Sequence, residues 1–301
     1  METASLDLNL LRTFLAVYRS GSFTGAARLL GLSQPTVTTQ MRALERQTGR
    51  ELFERLPRGV APTPVADELA ARIAAPLDEL AAVAGPTPPA GARAEPVHLA
   101  GPAELLCTTV LPALAPLVAE GVRLRVSTGL TDPLLAELRA GRYDLVIATT
   151  RPRGRALRAV ALTDEEFVLV AAPAWAERLT DRPAAEWPAA LHDVPLITYA
   201  EDLPIARRYW RHVFGRRLSR TAAVTVPDLR GVLAAVAAGA GFGVLPRYLC
   251  RHLLETGALV ALLEPEDPPI NTGFLVQRPG VCDNPDVARV RALLLRAART
   301  W

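Results

Sequence analysis

The sequence contains no lysine, and all 34 basic residues of the 301-residue chain are arginine. A chain without lysine cannot supply the lysine of a Walker A loop, the Schiff-base lysine of a pyridoxal-phosphate enzyme or the lysine of a protein kinase. A codon bias toward arginine, alanine, leucine, glycine and proline explains the absence most simply. Three enzyme classes are therefore excluded before any motif is considered.

Cysteine is also scarce, and the three cysteines, Cys107, Cys250 and Cys282, lie far apart in the sequence. Because no CxxC pair is present and the four histidines are scattered, we expect no disulfide framework, no metal site and no cofactor. The chain also lacks a signal peptide and any apolar run long enough to span a membrane, which predicts a soluble protein of the reducing cytoplasm. Cys107, within LLCTTVL, is interpreted as a small buried hydrophobe in preference to an oxidant sensor.

The net charge is only +3, so the chain lacks the uniform positive excess of a histone-like protein. Residues 28–58 nevertheless hold six arginines against three glutamates. A basic patch of this size is sufficient for contact with phosphate groups. Half of all residues are hydrophobic, and the length favours two or three compact folded units.

The most informative segment, residues 22–58, reads SFTGAARLLGLSQPTVTTQMRALERQTGRELFERLPR. Its spacing predicts two short helices joined by a tight turn, the second capped by Ser33, and then a hairpin. In the second helix Val37, Met41 and Leu44 share one face, and short polar side chains and arginines occupy the other. A helix that is buried on one face and polar on the other can enter the major groove of DNA. The segment therefore predicts DNA binding.

A longer helix is predicted to begin at Pro64, with Thr63 as its cap. Its apolar residues recur every three or four positions, at Leu69, Ile73, Leu77, Leu80 and Ala84. This spacing suits a seam with a second copy of the chain, which we favour, but a helix packed on its own domain has the same pattern. Pro76 lies inside the helix and is expected to kink it. The Pro/Gly/Ala tract GPTPPAGARAEP that follows is predicted to be a hinge.

Strands and helices alternate in the remainder of the chain. Strands are predicted at 97–100, 122–127, 145–148, 167–172, 196–199 and 222–226, with helices near 103–119, 132–140, 204–214 and 228–238. This alternation predicts a mostly parallel α/β sheet that binds ligands beyond the carboxyl ends of its strands. The glycine-rich GAGFG at residues 239–243 follows a helix, so we interpret it as a helix end and turn and not as a nucleotide-binding loop.

These segments together resemble the LysR-type transcriptional regulators over essentially the whole chain. The match is strongest over residues 8–66, where SFTGAARLL, LSQPTVTTQMRALE, GRELFER and a TP helix start occur in that order. The resemblance implies an α+β multidomain chain: an N-terminal winged helix-turn-helix, mainly α, and a C-terminal α/β effector domain of two lobes, similar to periplasmic binding proteins. The implied boundaries are 1–63 for DNA binding, 64–85 for a linker or dimerisation helix, 86–96 for a hinge and 97–301 for effector binding. Lobe I is expected at 97–162 and 271–301, and lobe II at 163–270.

The resemblance also implies which residues contact DNA. Gln34, Pro35 and Thr38 are expected to read bases, and Arg42 and the arginines of the wing are expected to grip phosphates. The full predicted set is Ser33, Gln34, Pro35, Thr36, Thr38, Thr39, Arg42, Arg55 and Arg58. Thr39 departs from the family pattern, because many members carry a longer and often basic residue at that position.

In the family fold the effector lies in a cleft between the lobes, lined by strand-to-helix loops. The predicted effector-binding residues are Pro102, Ala103, Glu104, Ser127, Thr128, Gly129, Thr149, Thr150, Thr198, Tyr199 and Glu201. Their hydroxyls and backbone N–H groups suit a small polar or carboxylate-bearing ligand. Glu104 and Glu201 would suit an ammonium group, although a solvent-exposed charge at a helix start is the interpretation that we favour for each. Thr128 is the leading residue because it follows a strand that we expect to be buried.

The predicted function is a ligand-responsive, sequence-specific transcription regulator that is not an enzyme. Its expected partners are double-stranded operator DNA, a small-molecule effector, a second or further copies of the chain in a homodimer or homotetramer, and RNA polymerase if it is an activator. No membrane partner is expected. The alternative is a cytoplasmic α/β metabolic enzyme or small-molecule-binding protein whose N-terminal helices serve only for oligomerisation.

Overall fold

The computed structural model describes residues 7–56, 59–84, 95–153, 157–179, 183, 186–279 and 284–301. Arg58, Cys282 and residues 86–94 of the predicted hinge lie outside these ranges. The chain divides into two compact units, which we describe separately. The first unit comprises Met1–Gly101, Pro116–Val160 and Leu275–Ala292, and the second comprises Pro102–Ala115, Ala161–Phe274 and Leu293–Trp301. The segments 102–115 and 293–301 thus group with the second unit, whereas the sequence assigned them to the first lobe.

Three helices open the first unit: α1 (Leu8–Ser20), α2 (Phe23–Leu30) and α3 (Gln34–Thr48). Each ends at a glycine in the left-handed conformation, and the Ser33 hydroxyl accepts the Thr36 N–H at the start of α3, as predicted. Val37 and Leu44 of α3 are fully buried, in one core with α1 and α2. The helix-turn-helix predicted from the sequence is confirmed.

A two-stranded wing follows these helices. Strands β1 (Phe53–Arg55) and β2 (Val60–Pro62) pair antiparallel. Gly59 precedes β2 with φ of +93°, and a Cβ atom there would lie 2.6 Å from the carbonyl oxygen of Gly21. The same carbonyl accepts the N–H of Val60 at 3.0 Å. The close approach that anchors the wing to the end of α1 therefore requires glycine at position 59.

Helix α4 (Pro64–Ala84) begins at the predicted residue, and the Thr63 hydroxyl accepts the N–H of Ala66 at 3.3 Å. The helix continues through Pro76. One of its faces is buried in the core of α1–α3, through Ala66, Ala70, Ala74 and Leu77. Part of the apolar repeat therefore packs on its own unit, whereas Leu80 is 57% exposed.

The α/β part of the first unit is built on parallel strands. Strand β3 (Val97–Gly101) lies between β4 (Leu124–Thr128) and β5 (Leu145–Ala148) and runs parallel to both. Helix α7 (Thr131–Arg139) belongs to this part, whereas helix α13 (Pro285–Ala297) begins in the first unit and ends in the second, where a 3₁₀ turn (Ala298–Thr300) follows it. The predicted strands and their parallel arrangement are confirmed here.

The predicted helix at 103–119 is divided into three pieces. A short α5 (Ala103–Leu105) leads into a π turn (Leu106–Val110) and then into α6 (Leu111–Ala119). The expected burial of Cys107 is wrong, because the wide π turn buries Leu106 and Val110 and leaves Cys107 exposed.

The second unit is organised around a long strand, β6 (Arg158–Ala171), which pairs antiparallel with β9 (Phe242–Pro246) and β10 (Val260–Leu263). Strands β7 (Ile197–Thr198) and β8 (Val224–Thr225) form a parallel pair, and β11 (Ile270–Gln277) completes the set. The helices are α8 (Pro173–Ala176), α9 (Trp187–Ala190), α10 (Pro204–Phe214), α11 (Leu229–Ala237) and α12 (Arg247–Glu255). The prediction of a mostly parallel sheet is wrong for the pairs of β6 with β9 and β10, which are antiparallel, whereas β7 and β8 are parallel. The helix end and turn predicted at GAGFG are confirmed, but β9, which begins at Phe242, was not predicted.

Candidate functional site

Helix α3 exposes one face to solvent and buries the other. Val37, Met41 and Leu44 are buried. The exposed residues include most of the predicted DNA-contacting set: Ser33, Gln34, Pro35, Thr36, Thr39 and Arg42. Thr38 is half-buried. The structure thus brings the predicted base-reading residues together on the N-terminal, solvent-facing part of one helix.

Hydrogen bonds fix the N-terminus of α3. The Ser33 and Thr36 hydroxyls lie 2.8 Å apart, and the Thr38 hydroxyl donates to the carbonyl of Gln34 at 3.0 Å. The amide of Gln40 is also occupied, because its Oε1 accepts the hydroxyl of Thr13 at 2.6 Å and ties α3 to α1. The side-chain amide of Gln34 takes part in no hydrogen bond with the described residues, so its donor and acceptor are available to a base edge.

The charges around α3 favour an anionic partner. Arg42 and Arg46 are exposed, and the Arg46 guanidinium donates to the carbonyl of Arg42 at 3.3 Å. Glu45, one of the three acids in this region, accepts the N–H of Leu52 at 3.0 Å and so helps to turn the chain into the wing. Arg55 lies in β1, but its side chain and the whole of Arg58 lie outside the described residues.

In the first unit the predicted effector-binding residues follow adjacent strands. Thr128 pairs with Gly101 in the register of β3 and β4, and the N–H of Gly129 donates to the carbonyl of Gly101 at 3.2 Å. The N–H of Thr149 donates to the Thr131 hydroxyl at 3.0 Å. Thr131 was not singled out from the sequence, although it starts a helix directly after the β4 loop.

The reason for preferring Thr128 is wrong. Strand β4 is largely exposed, with Val126 at 36% and Leu130 after it at 73% exposure. Within the described strands of this unit β4 pairs with β3 and lies at the sheet edge, so its outer side is open to solvent. Thr128 is exposed and remains a predicted effector-binding residue without that argument.

A cavity of about 620 Å³ adjoins Thr150 in the first unit. Its lining includes three arginines, Arg139, Arg151 and Arg153, and one acid, Asp132. The sequence reasoning did not select these arginines, of which Arg139 ends α7 and the other two follow β5 in the run Thr-Thr-Arg-Pro-Arg. An excess of guanidinium groups around a cavity favours an anionic ligand.

In the second unit, the predicted effector-binding residue Glu104 lies close to an ion pair. Burial raises the pKa of Glu104, and the charges of Asp228 and Arg230 act on it in opposite directions. Arg230 Nη2 lies 2.6 Å from Asp228 Oδ2, and this hydrogen bond lowers the pKa of Asp228. Glu104 is half-buried, unlike the solvent-exposed helix-start charge that we favoured.

The neighbouring predicted residues of the second unit differ in environment. Thr198 is buried in β7, and Glu201 is exposed, as favoured for that acid. Burial raises the pKa of Tyr199, as do the nearby charges of Asp202 and Glu104. Glu104 and Tyr199 are therefore brought together, whereas Glu201 faces solvent. Pro102 and Ala103, which precede Glu104 in the sequence, are half-buried.

The most deeply buried acid of the second unit is Glu165, which the sequence analysis missed. Glu165 is 6% exposed, and burial raises its pKa to about 7. Asn271 Nδ2 lies 3.5 Å from Oε2, whereas Oε1 and the Tyr248 hydroxyl have no hydrogen-bond partner among the described residues. Glu165 and Tyr248 line a cavity of about 380 Å³. Glu165 lies in the acidic stretch Asp-Glu-Glu, and this sequence does not indicate which of the three carboxylates is buried.

Within the part of the chain that the structure describes, no group of three or more histidine, cysteine, aspartate or glutamate side chains could hold a metal ion. No helix of the described residues is both long and apolar enough to cross a membrane.

The chain matches two protein families. Residues 8–67 match the bacterial regulatory helix-turn-helix protein, lysR family, and residues 90–299 match the LysR substrate binding domain. The HTH-type transcriptional regulator AbaB of Streptomyces antibioticus is 51% identical over 300 residues, which cover 98% of this chain and 100% of AbaB. The regulator PtxR of Pseudomonas aeruginosa is 28% identical over 266 residues, 86% of this chain and 82% of PtxR.

Solved structures show the same fold. ArgP of Mycobacterium tuberculosis has a TM-score of 0.73 and 24% identity, with 98% of each chain covered. A full-length OxyR variant of Pseudomonas aeruginosa has a TM-score of 0.70 and 22% identity, over 98% of this chain and 95% of that chain. LysR regulators bind DNA and a small-molecule effector and form oligomers. This chain belongs to the LysR family of transcriptional regulators, with a helix-turn-helix DNA-binding domain and an effector-binding domain.

Proposed function

We propose that this regulator reads its operator with Gln34, Pro35 and Thr38 of α3 and grips the phosphates with Arg42 and the arginines of the wing. The observation that carries the proposal is the division of α3 into a buried apolar face and an exposed polar one. The free amide of Gln34 can pair with adenine through one donor and one acceptor. Ser33, Thr36 and Thr39 complete the contact surface.

Gln34→Ala tests the proposal, with Gln47→Ala as its matched control. Both glutamines are exposed on α3, but 13 residues separate them, so the two side chains leave the helix in different directions. Gln34→Ala is expected to reduce discrimination between operator and random duplex by about 1–3 kcal/mol, and Gln47→Ala to leave it unchanged. A gel shift with the gene's own upstream region measures both. Equal discrimination by wild type and Gln34→Ala would remove Gln34 from the base-reading set.

We propose that the protein acts as a homodimer or homotetramer. Leu80 of α4 is 57% exposed, and the open edge of β4 presents Val126 and Leu130. Exposed apolar side chains on a helix and on an unpaired strand edge are the surfaces that association would cover. Sedimentation of wild type and Leu80→Glu is expected to show a smaller assembly for the variant. An unchanged assembly would place the helix outside the interface.

We propose that the effector is a small carboxylate-bearing molecule, bound in the first unit with the help of Thr149 and Thr150. The support is the excess of guanidinium groups around the cavity at Thr150. A thermal-shift screen of small carboxylates and amines is expected to find carboxylates that raise the melting temperature, because a ligand stabilises the state that it binds. Arg151→Gln should abolish that shift, and Arg72→Gln, which changes an exposed arginine of α4, should not. A screen in which only amines stabilise the protein would contradict this assignment.

We also propose the following about the activity, location, partners and domain boundaries of the regulator. It is not an enzyme, it acts in the cytoplasm where the bacterial chromosome lies, and it contacts RNA polymerase if it is an activator. The boundaries at 63, 85 and 96 divide the DNA-binding, linker, hinge and effector-binding parts. Deletion of residues 1–63 is expected to abolish operator binding and to preserve effector binding.

A further inference from the structure

A strongly positive surface lies on α10 and the turn that follows it, in the second unit. Between residues 203 and 227 the sequence contains six arginines and no aspartate or glutamate. The DNA-binding region at 28–58 also has six arginines, but it has three glutamates as well. Segment 203–227 is therefore more positive than the segment that carries the helix-turn-helix.

Five of the six arginines are exposed, and we call them the arginine face: Arg207, Arg208, Arg211, Arg216 and Arg217. The opposite side of α10 is apolar and buried, with Tyr209 at 0% and Trp210 at 3% exposure. The Trp210 ring lies 5.8 Å from that of Phe242. The helix is thus held by its apolar side, and its fold does not depend on the arginines.

Most of the arginine face has no partner within the chain. The side chains of Arg207, Arg211, Arg216 and Arg217 make no hydrogen bond or ion pair with any described residue, whereas Arg208 donates to the carbonyl of Ile270. Asp267 adjoins the face, because its carboxylate lies 3.1 Å from the ring of His212. Four unpaired guanidinium groups on one helix and its turn repel each other, and a polyanion would relieve that repulsion.

The composition of this surface distinguishes the kind of partner. Protein interfaces have an apolar centre, whereas interfaces with DNA are polar and strongly positive. Between residues 203 and 227 of the structure one large hydrophobic side chain, Val224, is exposed, and Ile270 lies beside Arg208. Guanidinium groups bind phosphate oxygens in a bidentate manner. The surface therefore fits the phosphate backbone of a nucleic acid better than an acidic protein.

We propose that the arginine face is a second DNA contact, which binds the phosphates of duplex DNA outside the operator without reading its sequence. The proposal rests on the proposed function, since it assigns the effector-binding domain a share in holding the DNA that α3 recognises. Each neutralised phosphate adds about 0.9 to the slope of log affinity against log salt concentration. The contribution of the face is therefore measurable separately from base recognition.

The test compares a short duplex that covers only the footprinted operator with a long duplex that adds random sequence on both sides. Full-length protein is titrated by fluorescence anisotropy over a salt series. The variant carries Arg207→Gln, Arg211→Gln and Arg217→Gln, and a matched control carries Arg251→Gln, Arg296→Gln and Arg299→Gln, three exposed arginines elsewhere. A third variant, which carries Arg207→Lys, Arg211→Lys and Arg217→Lys, keeps the charge.

On the long duplex the glutamine variant is expected to have a salt slope shallower than that of wild type by up to about 2.7, the equivalent of three phosphates. On the short duplex it should bind as wild type does. The control and the lysine variant should match wild type on both duplexes. A glutamine variant that matches wild type on the long duplex overturns the proposal, including the case in which the face binds an acidic protein instead.

The same data separate this proposal from the proposed function. If wild type binds the short operator no better than a random duplex of equal length, base recognition by α3 fails, whatever happens on the long duplex. If wild type prefers the short operator but gains no affinity from the added flanks, the arginine face fails and base recognition stands.

Discussion

Asp78 joins the DNA-binding part of the first unit to its α/β part. Its two carboxylate oxygens accept both Nη groups of Arg19, from α1, at 2.9 and 2.8 Å. Oδ2 also accepts Nε of Arg278 at 3.0 Å, and that guanidinium donates further to the carbonyls of Leu138 and Tyr143. One carboxylate thus pairs with two guanidinium groups that come from distant parts of the sequence.

Replacement of Asp78 by asparagine keeps the shape of the side chain and removes its charge. The amide turns N–H groups toward guanidinium donors, so at least one of the three charge-assisted hydrogen bonds is lost, each worth about 1.5–3 kcal/mol. Removal of one partner from a fully buried ion pair costs about 3–5 kcal/mol. The side chains of Asp78, Arg19 and Arg278 are 27%, 28% and 17% exposed, so water recovers part of that cost. We expect a loss of about 2–3 kcal/mol.

Urea unfolding of the full-length protein at pH 7 measures this loss. Glu68→Gln is the matched control, because Glu68 lies on the same helix, is exposed and makes no hydrogen bond or ion pair with the described residues. We expect the control to stay within about 0.5 kcal/mol of wild type. A double-mutant cycle with Arg278→Gln should give a coupling above about 1 kcal/mol. Asp78→Asn with wild-type stability, or zero coupling in the cycle, would refute the account of this junction.

Three further predictions follow from the described contacts. Gly59→Ala places a Cβ atom 2.6 Å from a backbone oxygen at a positive φ. It should lower the free energy of unfolding by about 2–3 kcal/mol and weaken DNA binding. Gly49→Ala, which has open space around it, should cost about 1 kcal/mol and leave DNA binding unchanged. Ser33→Ala removes the cap of α3 and should cost about 1 kcal/mol in thermal unfolding and weaken operator binding. Burial raises the pKa of Glu165 from 4.5 to about 7. The folded state therefore holds this proton more tightly than the unfolded state does. The stability that the protonated group provides is lost as pH rises from 4.5 through 7. Glu165→Gln should therefore match wild type near pH 4.5 and exceed it by about 2–3 kcal/mol at pH 8 in urea unfolding, and a constant difference between the two pH values would contradict the assignment.

The N-terminal part of the fold could be predicted because local signals determine it. The serine cap of α3, the terminal glycines and the helical spacing of Val37, Met41 and Leu44 all lie within a few residues of the structure that they specify. The exposed face of α3, which is the candidate DNA-binding site, follows directly from that spacing. Gln34 and Arg42 were predicted from the family resemblance, and their exposure on α3 is consistent with that prediction.

Contacts between distant residues could not be predicted from one sequence. Asp78 lies 59 positions from Arg19 and 200 from Arg278, and no local pattern marks either pairing. Strand β4 alternates like a buried strand, but its burial depends on whether another strand covers its open edge. Asp228 and Arg230 were missed because their pairing beside Glu104 arises from packing within the second unit.

Cys107 illustrates a third limit. Its neighbours Leu105, Leu106 and Val110 are apolar and buried, so hydropathy alone predicted that Cys107 would be buried with them. The insertion of a π turn changes which positions face inward, and hydropathy does not report that change. Glu104, a predicted effector-binding residue that lies just before this turn, is half-buried and not solvent-exposed as we favoured.

If α3 recognises specific bases, the protein binds its own operator more tightly than other DNA. The most direct measurement is the ratio of affinities for the gene's own operator and a random duplex of equal length, taken over a range of salt concentrations. The account predicts that both affinities fall as salt rises while the operator remains preferred throughout. Equal affinity for the two duplexes at every salt concentration would contradict it.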